Sequence, residues 1–270
     1  MAERLAGLAV YRRLAAARIR SEWQYRTSFV MFLLAQTVVA ALDIAAIAVL
    51  FTNVDSLAGW SLAEVALLYG INGTAFGLGD LVASPVERAA THIRRGSFDV
   101  FLVRPAGALL QLLGYEFALR RLGRMVQPAV VLAIAVRLLD VRWRPAAVLL
   151  VASAILSGAV IFSAIWVLTS AIAFWTVETQ EISSSFTYGG KTLANYPIDV
   201  LGAWLRRIVV FVVPVAFVAY LPAAWLLDKP LPHGLPRALG WAGPLVAVVL
   251  AVVAGLVWRL AVRHYRSTGS

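Results

Sequence analysis

Apolar runs close to the ~20 residues needed to cross ~30 Å of hydrocarbon recur along this chain, separated by short polar or basic stretches. The first covers 27–51 and stops at the turn TNVDSLAGWS. The second, 62–83, is less hydrophobic and carries Gly70, Gly73, Gly77 and Gly79. Three of these, Gly70, Gly73 and Gly77, share one helical face, and GTAFG matches G-x-x-x-G, so the spacing predicts a close helix contact. Met125 to Val136 alone is too short to cross. The third span is therefore expected over 119–139, with Arg120, Arg121 and Arg124 snorkelling at the interface. A fourth covers 146–175, a fifth 208–227 and a sixth 243–262. Pro214 is expected to kink the fifth, whereas Pro244 fits a first helical turn.

Composition turns this pattern into a class. With 61% hydrophobic and 14% charged residues, 270 residues cannot hide their apolar surface in one water-soluble core. The chain reads as an all-α integral membrane protein, a single domain of six transmembrane helices over 1–270. Helices satisfy their own backbone groups in lipid, and the short alternating segments of a membrane barrel are absent. There is no cysteine, and His92, His233 and His264 lie far apart, which leaves no disulfide framework, thiol nucleophile or metal site to expect.

The formal charge of +10 reports topology first. Segments 1–26, 84–124, 176–207 and the tail beyond Trp258 together hold 19 basic residues, and the opposite segments hold five. Both termini are expected on the cytoplasmic side, with 1–26 forming a helix at that interface on which Val10, Leu14 and Ala17 align. No basic stripe with stacking aromatics stands apart from the spans, so nucleic acid is not an expected partner. Arginine supplies 22 of the 24 basic residues, which with abundant alanine hints at a GC-rich bacterial genome, and the expected location is therefore a bacterial plasma membrane.

Two segments, 84–107 and 176–207, are expected as the main cytoplasmic stretches. In the second, SFTYGGKT imitates the end of a phosphate-binding loop, but position 185 is Ser rather than Gly and no buried strand precedes it. ATP must bind elsewhere if ATP is used. Within the spans, Asp43 and Asn72 are candidates for a substrate route or for interhelical polar contacts. A mid-membrane carboxylate costs ~2.5 to 3.5 kcal/mol, so Asp43 is expected to face the interior or a watery path, or to be hydrogen-bonded or protonated. Glu64 and Asp80 read as interfacial, and Glu178 and Glu181 as cytoplasmic.

The first segment contains IRRGSFDVFLVRP, with Arg94, Arg95, Asp99 and Arg104 between apolar stretches. Its charges alone would serve the positive-inside pattern. Together with FWTVETQ after the fourth span and NYPIDVLGAWLRRIVVFVVPVAFVAYLPA, with Pro197, Pro214 and Pro222, it resembles the membrane permeases of ABC transporters of the type-2 exporter class. A large outer domain found in part of that class is lacking. The resemblance implies a six-helix exporter subunit that pairs with a second permease and with cytoplasmic ATPase subunits. ATP and Mg would be bound by those ATPases and no cofactor by this chain. It also implies that 84–107 forms a coupling helix, with Glu87, Arg88, Arg94, Arg95 and Asp99 for charged docking. Phe98, Phe101 and Leu102 would be an apolar anchor, Gly96 would provide the turn, and Arg104-Pro105 would end the element. The competing class is an ion- or proton-coupled carrier using Asp43 and Asp80, for which inverted repeats would be the sign and are not seen.

Overall fold

A computed structural model describes residues 26–115, 119–139, 141, 143–176, 180–231 and 235–265. The expected interfacial helix over 1–26 lies almost wholly outside them, as do Glu178 and His233. Among the described residues there are helices and no strand. In chain order they are α1 (Arg26–Phe51), α2 (Leu62–Ala83), α3 (Ala89–Arg94), α4 (Asp99–Leu102), α5 (Ala108–Tyr115), α6 (Gly123–Leu138), α7 (Pro145–Ala171), α8 (Gln180–Ala194), α9 (Ala203–Arg207), α10 (Tyr220–Leu226) and α11 (Gly243–His264).

Local chemistry sets the ends. Ser61 and Glu64 form a reciprocal capping box on α2, and proline in the first turn opens α7 and α11, where its missing N–H is not needed. Among the described residues, three continuous helical stretches are long and apolar enough to cross a membrane: Leu62–Arg94, Pro145–Phe174 and Gly243–His264.

α2 is the central element, buried on nearly all sides. Its glycine face meets α6: a Cβ on Gly70, Gly73 or Gly77 would fall within 3 Å of Leu132, Pro128 or Met125 respectively. The register 70 to 132, 73 to 128 and 77 to 125 makes α2 and α6 antiparallel. Gly79 faces the next neighbour instead, against Ala159 and Phe162 of α7. α7 and α11 run parallel, since Gly243 lies on Ser157 while Trp258 stacks edge-on against Phe174. Apolar side chains remain exposed along α1, α6 and α11, among them Leu42, Val130 and Val252.

Two expectations are corrected. Residues 180–194, expected as part of a cytoplasmic loop, form α8, which packs antiparallel against the half of α2 between Asn72 and Ala83. Ser183 bonds Thr169 at one end of the bundle, and Tyr188 stacks on Phe76. Asn72 Nδ2 donates to Lys191 O at 2.8 Å and to Asn195 Oδ1 at 2.6 Å. Beyond α8, Asp199 Oδ2 accepts from Trp60 Nε1 at 3.1 Å, at the opposite end. The run of polar residues QEISSSFTYGGKT disguised this helix as a loop, yet part of that polarity is satisfied by bonds inside the bundle.

The second correction concerns 208–227, which is not a continuous span. Ala203–Val212 and Val215–Leu226 are separate helical pieces bent by 74° at Val213-Pro214. Pro214 cannot donate to a helical ladder. Val215 and Val213 lie 3.5 and 3.9 Å from the Cβ position of Gly190, in the second half of α8. Both outer ends return to the start of α2: Arg206 of the first piece donates to the carbonyl of Asp199, the residue that bonds Trp60, at 3.2 Å, and Lys229 beyond the second bonds Gly59 O at 2.7 Å and Glu64 at 3.0 Å, with Tyr220 OH donating to Asp199 at 2.8 Å. The pair thus enters the bundle and leaves by the same end. Tyr220→Phe should cost about 1.5 kcal/mol, the lower range for a hydrogen bond to a charged acceptor, read as a fall in thermal midpoint of the purified chain. An unchanged midpoint would deny the contact a holding role.

Candidate functional site

The site develops at the end of α2 that carries Ala83. There Ser84-Pro85 opens a tight 3-10 turn, Ser84–Arg88, because proline suits a first turn and ends the longer helix. α3 follows and stops at Gly96, whose φ of +67° is open to glycine without steric cost. The turn is closed by Gly96 N–H to Ile93 O at 3.1 Å and Phe98 N–H to His92 O at 3.2 Å. His92 Nδ1 and Ser97 Oγ, 2.9 Å apart, brace it from the side. α4 is then a single turn, and Gln111 Nε2 of α5 binds Phe101 O at 2.9 Å.

One side chain fastens this segment to the bundle. Phe98 is fully buried, edge-on to Phe174 and Tyr265 with centroids 5.1 Å away in each case. Phe174 in turn stacks on Trp258, so the segment is joined to the ends of α7 and α11 together. Phe101 is also turned inward, against His92. Glu87 faces inward too and accepts from Trp166 Nε1 at 2.6 Å. The outward side therefore consists of Arg88, Arg94, Arg95, Arg104 and Pro105 with Val100, Leu102 and Val103, while Asp99 is half-buried at the start of α4.

Behind the turn lies a polar cluster. Arg124 pairs with Asp80 at 3.0 Å, and the Asp80 side chain is 1% exposed. Arg121 donates to Ser84 Oγ and, at 3.4 Å, to Asp80 O. Tyr188 OH stands 3.5 Å from Arg124. Arg121 and Arg124 were expected to snorkel to the interface; they turn inward instead, because a nearly dry carboxylate attracts them more strongly than an exposed one. Asp80, expected at the interface, is fully buried.

The two mid-span candidates separate. Asn72 is wholly buried, and its two amide bonds go to Lys191 of α8 and to Asn195 just beyond that helix, so it holds the two segments together. Asp43 is exposed on the flank of α1. Glu64, expected at the interface, pairs with Lys229. Among the described residues no group of three or more His, Cys, Asp or Glu side chains is placed to hold a metal ion. Sequence reasoning missed Trp166, Phe174 and Tyr265 as supports of the turn; each sits in or beside an apolar run, with no local signal of what it would touch.

A family model described as ABC-2 family transporter protein matches residues 37–269. No curated protein and no solved structure matches the chain.

Proposed function

Because the chain belongs to the ABC-2 family of transporter permeases, we propose that it is the membrane subunit of an ATP-driven exporter and that its 84–107 segment couples it to a cytoplasmic ATPase. The carrying observation is a segment with two sides. Its inner side, Phe98, Phe101 and Glu87, is packed onto α7, α11 and its own turn. Its outer side presents four arginines around exposed Val100, Leu102 and Val103. An acidic, partly apolar surface on the ATPase is the complement, since charge orients docking and apolar contact holds it. A push on this segment is passed to the helix ends through packed aromatic rings, which move as a body rather than deform.

The crossings in this reading are α1, α2, α6, α7, α8 and α11, six in all, with α8 in the place first expected for 208–227. Arg206 and Arg207 then move to the far side and Lys191 sits between. Basic residues still favour the side of 84–124 by 16 to seven, so both termini face the cytoplasm of a bacterial plasma membrane. ATP and Mg bind to the ATPase, which supplies the energy. A second permease, identical or a sister chain, covers part of the exposed apolar faces. The carrier alternative has less to work with, because Asp80, one of the two carboxylates it would use, is committed to Arg124.

Purification of the tagged full chain from its native membranes tests this directly. An ATPase subunit is expected to co-purify, and Arg94→Glu with Arg95→Glu should reduce its recovery about tenfold or more while membrane insertion is unchanged. No bound ATPase with the natural chain, or undiminished recovery with the reversed charges, would overturn the reading.

A further inference from the structure

α8 has an outward face that no lipid should tolerate. Glu181, Ser185, Tyr188 and Thr192 are all exposed, and their spacing of four, three and four residues puts them on one stripe of the helix. α8 lies along the half of α2 between Asn72 and Ala83, so this stripe runs from that end of the bundle to its mid-depth. Lys191 stands beside it at the midpoint: its carbonyl is held by Asn72, the eleventh of the 22 residues of α2, and its Nζ rests 5.5 Å from the centre of the Phe76 ring. No hydrogen bond or ion pair engages that ammonium among the described residues. From α1, exposed Asp43 is near enough to be felt electrostatically at Lys191 and Tyr69; from α2 and α6 come Asp80 and Arg124, already paired.

A polar stripe and a half-buried cation at mid-depth are costly against hydrocarbon and favourable against water or a polar ligand. The apolar faces of α1, α6 and α11 show what lipid contact looks like in this chain. We infer that the Glu181–Ser185–Tyr188–Thr192 face of α8 lines the aqueous part of the transport route, and that Lys191 receives the anionic group, carboxylate or phosphate, of an amphiphilic cargo. The inference rests on the permease reading. The negative charge of Asp43, felt at Lys191, keeps an anion from binding too tightly to leave.

The absence of cysteine makes the test clean. Ser185→Cys and Thr192→Cys, each nearly isosteric, are placed singly in the full chain in native membrane vesicles and treated with an anionic or a cationic water-soluble thiol reagent. Val249→Cys and Val252→Cys on the exposed apolar face of α11 are the controls. Total thiol after denaturation normalises each rate to the protein present. Positions 185 and 192 should react and the α11 positions should not. At 192 the anionic reagent should lead the cationic one by about fivefold, the effect of one charge some way off in a watery site. Lys191→Gln should abolish that preference and Asp43→Asn should widen it. Unreactive 185 and 192, equal reaction on α11, or a preference indifferent to Lys191→Gln would each overturn the inference. Labelling needs no ATPase, so loss of co-purification with the stripe still reactive would refute the permease reading alone.

Discussion

Arg124→Gln should destabilise the chain by about 3–5 kcal/mol, because it strands the Asp80 carboxylate, 1% exposed, away from its cation. A surface pair would contribute only about 0–1 kcal/mol, so the burial of Asp80 decides the size. Its Oδ1 has no hydrogen-bond partner, which leaves the Oδ2 contact with Arg124 as its one side-chain bond among the described residues. Asp80→Asn should be milder, near the lower limit of that range, since the orphaned Arg124 side chain is 30% exposed and can reach water. Replacing both by leucine should recover most of the loss, as a buried pair is often no better than apolar packing. Thermal unfolding of the purified chain in one detergent checks all three. A midpoint unmoved by Arg124→Gln, or a double variant as damaged as the single, would remove the claim that this pair is buried and matched.

The second large effect belongs to the glycine face. Gly70→Ala with Gly77→Ala should cost up to about 4 kcal/mol, although alanine is the better helix former by about 1 kcal/mol per site. The sign is set by what the new methyls meet. At Gly77 the Cβ position is 2.8 Å from Met125 Cα and Cβ, and at Gly70 it is 2.7 Å from Leu132 Cα. Backbone cannot step aside as a flexible side-chain tip can, so α6 must shift as a unit, and overpacking of this kind costs about 1–3 kcal/mol per site. Gly255→Ala on α11 is the contrast: nothing lies within 4 Å of its Cβ position, and it should be neutral or stabilising by up to about 1 kcal/mol. Thermal midpoints of the two variants moving in the same direction would show that the α2–α6 approach is looser than drawn.

These residues also mark how far local reading reaches. α2, α7 and α11 were legible because each is a run of about 20 apolar residues, and insertion into hydrocarbon depends on the composition of the stretch itself. The glycine face was legible from its spacing, while its partner α6 was not, since spacing describes one helix and not its neighbour. α8 was misread because hydropathy averages over all faces of a helix. A helix with a polar stripe and an inner set of polar bonds scores as a loop. The stretch 208–227 misled in the opposite way: it has the composition of a span, but Pro214 and the ties of Tyr220 and Lys229 to the start of α2 fold it back.

In 84–107 the arginines were visible at once and the direction of the aromatics was not. α3 and α4 have six and four residues, too few for a periodicity that would separate an inner from an outer face. Phe98 and Phe101, read as an outward anchor, face inward, and Val100 and Val103 take the exposed places beside Leu102.

From its order of residues alone this protein is a helical membrane protein with a cationic turn after its second apolar helix, because lipid burial and the placement of basic loops are settled by short stretches of chain. Which polar groups are neutralised, how 180–226 packs against the bundle and which side of the turn faces out were decided by tertiary structure. The partners concerned are 44 residues apart for Asp80 and Arg124 and 139 apart for Trp60 and Asp199, and only packing brings such distant groups within hydrogen-bond range.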